Sequence, residues 1–222
     1  MTTPSPKSQV PYRQIRAHYD DATITVYQAY NSSIANAAVE SQKLNASPDF
    51  KPGRMTWVKP SWAWMMYRAG YSYKDARQCR ILALKMKHED FIGLLERGVL
   101  STHAQKSKEE QSTEKETTNG RRAKSSEVRI QWDPERTPRL GMLPYRSIQI
   151  GIPGSLSGTW ANEWIVEIED VTETARELKR VLDEQPGMTT EELVKIGLVP
   201  EERPFDVPES VQQILEMTAP AT

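Results

Sequence analysis

The sequence predicts a single mixed α+β domain with about six or seven strands and flanking helices. Three observations carry this. Short runs rich in β-branched and aromatic residues alternate with runs of helix formers. Cap and turn residues separate the runs. At 222 residues the chain is long enough for one sizeable core.

Taken in order, Tyr12–Ala17 and Thr23–Ala29 are β-rich runs separated by Asp20-Asp21, which predicts a hairpin. Asn31-Ser32-Ser33 offers N-cap chemistry before Ile34–Lys43, a run of helix formers. Met55–Val58 reads as a short strand. Pro60 then sits at the start of a helix over Ser61–Ala69, which Gly70 stops. Arg80–Met86 is an apolar strand, and His88–Arg97 a helix ended by Gly98. Strands follow at Val128–Trp132 and Ser147–Ile152. Gly154-Ser155 opens a further helix. Trp164–Ile168 reads as a strand. In Thr172–Leu182 the apolar positions Ala175, Leu178, Val181 and Leu182 recur at the helical period. Thr189-Thr190-Glu191-Glu192 begins one more short helix.

This order places the domain over 11–203. Residues 1–10 read as a flexible lead-in. The stretch 105–126 holds no large apolar or aromatic side chain, so it is expected as a disordered insertion. Residues 204–222 read as an acidic, Pro-rich tail with one short apolar pattern, Val211, Ile214 and Leu215.

The net charge of −1 is an average of two unlike parts. Residues 1–160 carry 24 basic and 15 acidic groups, and residues 161–222 carry 5 and 15. An anionic ligand is therefore expected on the first part. The opposite charges also permit the tail to fold back onto the basic part. No run of about 18 apolar residues exists, which excludes a membrane span from the expectations. The polar start, Met1 to Pro11, has no apolar core of a secretory signal, so a cytoplasmic, intracellular location is expected. One cysteine, Cys79, excludes an internal disulfide. His18, His88 and His103 lack metal-ligand spacing, so no metal is expected. Neither a phosphate-binding Gly-x-x-x-x-Gly-Lys loop nor a Gly-x-Ser-x-Gly elbow occurs.

Four segments carry candidate chemistry. In Arg54–Arg80, Trp57, Trp62, Trp64, Tyr67, Tyr71 and Tyr73 are interleaved with Arg54, Lys59, Arg68, Lys74, Arg77 and Arg80, and Asp75 is the sole acid. Aromatic faces stack on rings and cations neutralise phosphate, so this window suits a ligand with both. Core aromatics beside solvated cations are the plainer reading. In the first run, Arg13 and Ile15 alternate with Gln14 and Arg16, and Gln28 lies between Tyr27 and Tyr30. Buried polar groups there need partners, and a ligand can be one. Gln131-Trp132-Asp133-Pro134-Glu135-Arg136 puts carboxylates just past a strand end, where they can stabilise developing charge; Asp-Pro also reads as an ordinary turn. Tyr145–Gly151 followed by Ile152-Pro153-Gly154-Ser155 is a strand, a Gly turn and a helix start. That geometry can present N–H groups to an anion or simply turn the chain.

Tyr12–Ala17, Val26–Tyr30, Arg54–Ser61, Trp64–Arg68, Gln131–Arg136 and Arg146–Gly151 together resemble the family labelled domain of unknown function 4291, over roughly residues 11–200. That family brings no established activity. More distantly, the order of elements resembles the ADP-ribosyltransferases. The resemblance implies a split β-sheet, mixed or antiparallel, that holds NAD as substrate in a cleft and passes ADP-ribose to a macromolecule. It implies catalytic roles for Glu135, Tyr27 and Ser61. It implies cofactor contacts from Arg13, Arg16, Gln28, Tyr30, Trp57, Lys59, Arg68, Arg146 and Gln149. The late Gln/Glu-x-Glu pattern of those enzymes is only approximated by Asp133-Pro134-Glu135. A non-catalytic RNA- or DNA-binding module that uses the basic aromatic segment 51–80 is the competing expectation.

Overall fold

Asn31 and Ser61 show how local chemistry sets the architecture. Each holds an extended backbone and accepts an amide N–H three residues on, from Ile34 and Trp64 respectively. Each thereby starts a helix straight after a strand or loop. In the computed structural model, described over residues 10–101 and 127–217, these are the helices α1 (Ser32–Ser41) and α2 (Trp62–Ala69). Gly70 ends α2 in the left-handed region at φ 56°, as its position in the sequence predicts.

The other helices are α3 (His88–Leu95), α4 (Ser157–Thr159), α5 (Thr172–Glu184), α6 (Thr190–Lys195) and α7 (Glu209–Ile214). Thr189 and Glu192 form the reciprocal cap at the start of α6. The strands among the described residues are β1 (Arg16–Ala17), β2 (Thr23–Tyr30), β3 (Thr56–Val58), β4 (Arg80–Lys87), β5 (Gly98–Leu100), β6 (Val128–Arg136), β7 (Met142–Ile152), β8 (Ile165–Asp170) and β9 (Arg203–Pro204). No helix among the described residues is long and apolar enough to cross a membrane.

The strands form two main sheets. One is antiparallel in the order β2-β4-β8; the other runs β3-β7-β6-β5 and is antiparallel except for the parallel β5–β6 pair. They meet where the Tyr27 amide donates to the Lys59 carbonyl at 2.8 Å, beyond the end of β3. The three-stranded sheet is covered on both faces, which explains the unbroken apolar run Ile81-Leu82-Ala83-Leu84. Ile24, Val26, Leu82 and Leu84 face the main core with α1, α3 and the inner side of the four-stranded sheet. Tyr27, Ile81 and Ala83 face a second core built by α2, α5 and α6.

Three expectations change. The hairpin over Tyr12–Ala17 and Thr23–Ala29 shrinks to a tight turn at Tyr19–Ile24, because β1 pairs with β9 instead, Arg16 opposite Pro204. Asp133-Pro134-Glu135 is strand rather than turn. It continues β6, and Pro134, which has no N–H to give, sits where the register with β7 shifts. The segment from Pro204, read as a tail, packs inward as far as it is described: Phe205, Val207, Val211 and Leu215 are buried in the main core. Glu216 there pairs with Arg13 at 2.7 Å, so this acidic end does fold back onto the basic part. Residues 1–9 of the lead-in, the insertion 105–126 and His103 lie outside the described residues.

The turn after β7 is held by close contacts. The Ser157 hydroxyl donates to the Gly154 carbonyl and accepts the Gly53 N–H. A Cβ on Gly154 would stand 2.1 Å from the Gly53 carbonyl oxygen. Gly154→Ala is therefore expected to destabilise the fold by about 1–3 kcal/mol, read as a lower midpoint in urea with the slope unchanged.

Candidate functional site

Lys59 organises the region where the sheets meet. Its side chain is 1 % exposed and runs across β7 to Asp133 on β6, with Nζ 3.1 Å from Oδ2 and 4.0 Å from the Trp64 ring centroid. Burial lowers its pKa to about 8, with the Asp133 charge pulling it back up. Two residues on, the fully buried Ser61 hydroxyl donates to Glu135 Oε1 at 2.7 Å, and so does the Arg136 amide. Asp133 and Glu135 stand two apart on β6 and point to the same side, as Lys59 and Ser61 do opposite them. The result is two parallel cross-links, Lys59–Asp133 and Ser61–Glu135.

On the Lys59 side lies a cleft of about 570 Å³. Its walls include Tyr30, Trp57 and Trp64, and its cations are Arg54, Lys59 and Arg68. No carboxylate lines it among the described residues. Arg54 is exposed, and the side chains of Arg54 and Arg68 make no hydrogen bond or ion pair within the described residues, although the Arg68 charge acts on Asp75. Gln28 is spent on structure: its amide donates to Thr56 Oγ1 and the Trp57 carbonyl and accepts from the Tyr30 hydroxyl. Burial pushes the Tyr30 hydroxyl pKa up, so it stays a donor. Trp57 lies flat over Gly151, its strand partner, where an added Cβ would come within 2.9 Å of the ring.

On the Ser61 side lies a second cavity, of about 430 Å³, lined among others by Arg16, Glu135, Arg136, Tyr145 and Glu202. Glu202 Oε1 accepts the Trp62 amide at 2.6 Å at the start of α2. Burial first, and then the nearby Glu135 charge, raise its pKa to about 8. Burial and the same two carboxylates raise the Tyr145 hydroxyl as well.

Of the residues singled out from the sequence, Tyr27, Gln28, Tyr30, Trp57, Lys59, Arg68 and Gln149 line the cleft. Arg16 and Glu135 line the second cavity. Ser61 is buried between the two and reaches the ligand spaces only through Glu135. Tyr27 is 4 % exposed with its ring edge-on to Trp62, and burial holds its hydroxyl pKa far above the usual range. Arg13 and Arg146 are elsewhere: Arg13 pairs with Glu216, and Arg146 donates to the Tyr12 hydroxyl at 2.8 Å.

Glu202 escaped the sequence reading because Glu201-Glu202-Arg203 looks like solvated charge. The alternation of Phe205 and Val207 just beyond it was the signal that this segment is anchored. Among the described residues no three His, Cys, Asp or Glu side chains converge as a metal site.

A family model described as Domain of unknown function (DUF4291) matches residues 14–205 of the chain. No curated protein matches it.

Glu202 yields a stability prediction. Its folded pKa of about 8 stands above its ordinary 4.5, so the native state keeps a proton that the unfolded chain releases between those values. Stability therefore falls as pH rises from 4.5 to 8, by at most about 1.4 kcal/mol per pH unit, and levels above 8. Glu202→Gln is expected to flatten that slope in urea titrations across this window.

Proposed function

The chain belongs to the DUF4291 family, and we propose that it binds NAD in the cleft between its two sheets and transfers ADP-ribose from it. The observation that carries this reading is the lining: tryptophan and tyrosine faces, two arginines whose side chains make no hydrogen bond or ion pair among the described residues, and no carboxylate among those residues. Aromatic faces take up a nicotinamide or adenine ring, and the arginines match the pyrophosphate between them. The ligand is thus a ring-bearing phosphate ester of modest size, for which a 570 Å³ cleft suits a dinucleotide better than a polymer.

In this reading Arg54 and Arg68 hold the pyrophosphate, and Trp57 stacks on a ring. The bond from ribose C1′ to the nicotinamide nitrogen breaks, and its electron pair leaves with nicotinamide. Glu135 lines the second cavity rather than the cleft, so the reading needs the ribose to pass the Lys59–Asp133 pair before this carboxylate meets the positive charge left on it. Its hydrogen bonds from Ser61 and Arg136 hold it in place.

Calorimetric titration with NAD and an assay of nicotinamide release test this. Arg68→Ala is expected to lose about 1.5–3 kcal/mol of binding, roughly 10- to 100-fold in affinity. Glu135→Gln is expected to keep the affinity and slow release by about 100- to 1,000-fold. No heat of binding at millimolar NAD rejects the reading. Steeply salt-dependent binding of RNA or DNA in its place favours the nucleic-acid module.

A further inference from the structure

The cleft contains an amide that the fold leaves unused. Ile148, Ile150 and Ile152 of β7 face the main core, so Gln149 and Gly151 between them point to the opposite side of the sheet. On that side Trp57 lies flat over Gly151, and both Trp57 and Gln149 line the cleft. One face of the indole is therefore taken up by the strand, and the other is the face it offers to a ligand. Gln149 stands two residues from Gly151 on the same side of the strand, about 7 Å along it. Its amide thus lies beside the indole, within reach of the edge of a ring stacked there. Two other glutamines line the cleft among the described residues. Gln28 spends its amide on Thr56, the Trp57 carbonyl and Tyr30. Gln78 comes from the separate turn Ala76–Gln78 and shares no strand with Trp57 or its partner. The Gln149 side chain makes no hydrogen bond among the described residues, and neither does that of Gln131, which pairs with it across β6.

A glutamine amide offers one donor group and one acceptor side by side, without charge. The charged groups of the cleft, Arg54, Lys59 and Arg68, match phosphate; the amide matches a neutral edge that holds an acceptor next to a donor. Adenine has that edge at N7 and its 6-amino group, and a glutamine pairs with both at once. Hypoxanthine and guanine place two acceptors there, N7 and O6, so the amide carbonyl is left facing a second acceptor. The nicotinamide carboxamide also combines donor and acceptor, but its place is elsewhere. From Trp57 the chain runs through Lys59 to Ser61, which reaches Glu135, so the reacting ribose and its nicotinamide belong beyond Lys59. Adenine is the ring that remains for Trp57.

We propose that Gln149 is the residue that selects the base of the dinucleotide, and that it selects adenine. The proposal rests on the NAD reading above and names the part of the ligand that this wall of the cleft recognises. The amide carbonyl of Gln149 accepts from the 6-amino group, its N–H donates to N7, and Trp57 holds the face of the ring. Stacking on Trp57 favours any base, because every base has a flat face. Discrimination among bases comes from the amide.

The experiment titrates the full chain calorimetrically with NAD and with nicotinamide hypoxanthine dinucleotide, which carries oxygen in place of the 6-amino group. The wild type is expected to bind NAD roughly 5- to 150-fold more tightly. Gln149→Leu keeps the bulk of the side chain and is expected to bring the ratio of the two affinities close to one. Gln149→Arg presents donors to both N7 and O6 and is expected to invert the ratio in favour of hypoxanthine. A side chain that merely packs would move both affinities together and leave the ratio alone. The Arg variant carries the test if the Leu variant does not fold. If the wild type binds the two dinucleotides alike, or if both variants keep its ratio, the assignment of Gln149 is overturned and the NAD reading stands. If the variants change instead the ratio of NAD to 3-acetylpyridine adenine dinucleotide, the amide meets nicotinamide and the assignment is likewise overturned. If the wild type binds neither NAD nor the hypoxanthine dinucleotide, both fall.

Discussion

Lys59 is the constraint on which the rest of the structure depends. Its carbonyl takes the Tyr27 amide and so joins the three-stranded sheet to the end of β3. Its ammonium crosses to Asp133 on the far strand of the other sheet's central pair. A nearly unexposed ammonium is costly unless it is paired, so the Asp133 position and the Lys59 position fix each other. Trp64 lies against the same ammonium and brings the first turn of α2 with it. The cleft and the second cavity are the two sides of that joint.

The helix start that follows is shaped by the same geometry. Pro60 and Ser61 turn the chain out of β3 into α2, and the Ser61 hydroxyl then serves twice: it accepts the Trp64 amide and donates to Glu135. Glu135 lies where the β6–β7 register shifts between Pro134 and Arg136, with the extra residues on β7. Glu202 arrives from the other end of the chain, carried by the β1–β9 pair and anchored by Phe205 and Val207. A basic cleft and an acidic pair thus lie on either side of one buried cross-link. The charge asymmetry of the sequence has a counterpart in space, since Glu202 belongs to the acidic part and Arg54 and Arg68 to the basic part.

What the sequence made legible was what local chemistry controls. Asn31, Ser61 and Gly70 announce helix ends because caps act within three or four residues. Most of the cleft was legible too, since Trp57, Lys59 and Arg68 fall in one window and Gln28 and Tyr30 in another, each with unusual composition. What stayed hidden depends on distant pairing. Nothing near Arg16 says that it lies opposite Pro204, and nothing near Glu202 says that it meets Glu135. Asp133-Pro134-Glu135 misled because its residues favour a turn in isolation, whereas the long β7 partner keeps the strand going. Arg13 and Arg146 illustrate the opposite error: both are basic and near the candidate strands, yet each is engaged at the outer edge, with Glu216 and Tyr12.

The central claim, that the cleft beside Lys59 is where the ligand lies, is tested most directly by a crystal structure of the protein grown with NAD. The account predicts a ring stacked on Trp57 and the pyrophosphate in contact with Arg54 and Arg68, with the Lys59–Asp133 pair intact at its inner end. NAD bound at any other place, or an unoccupied cleft in the presence of millimolar NAD, contradicts it.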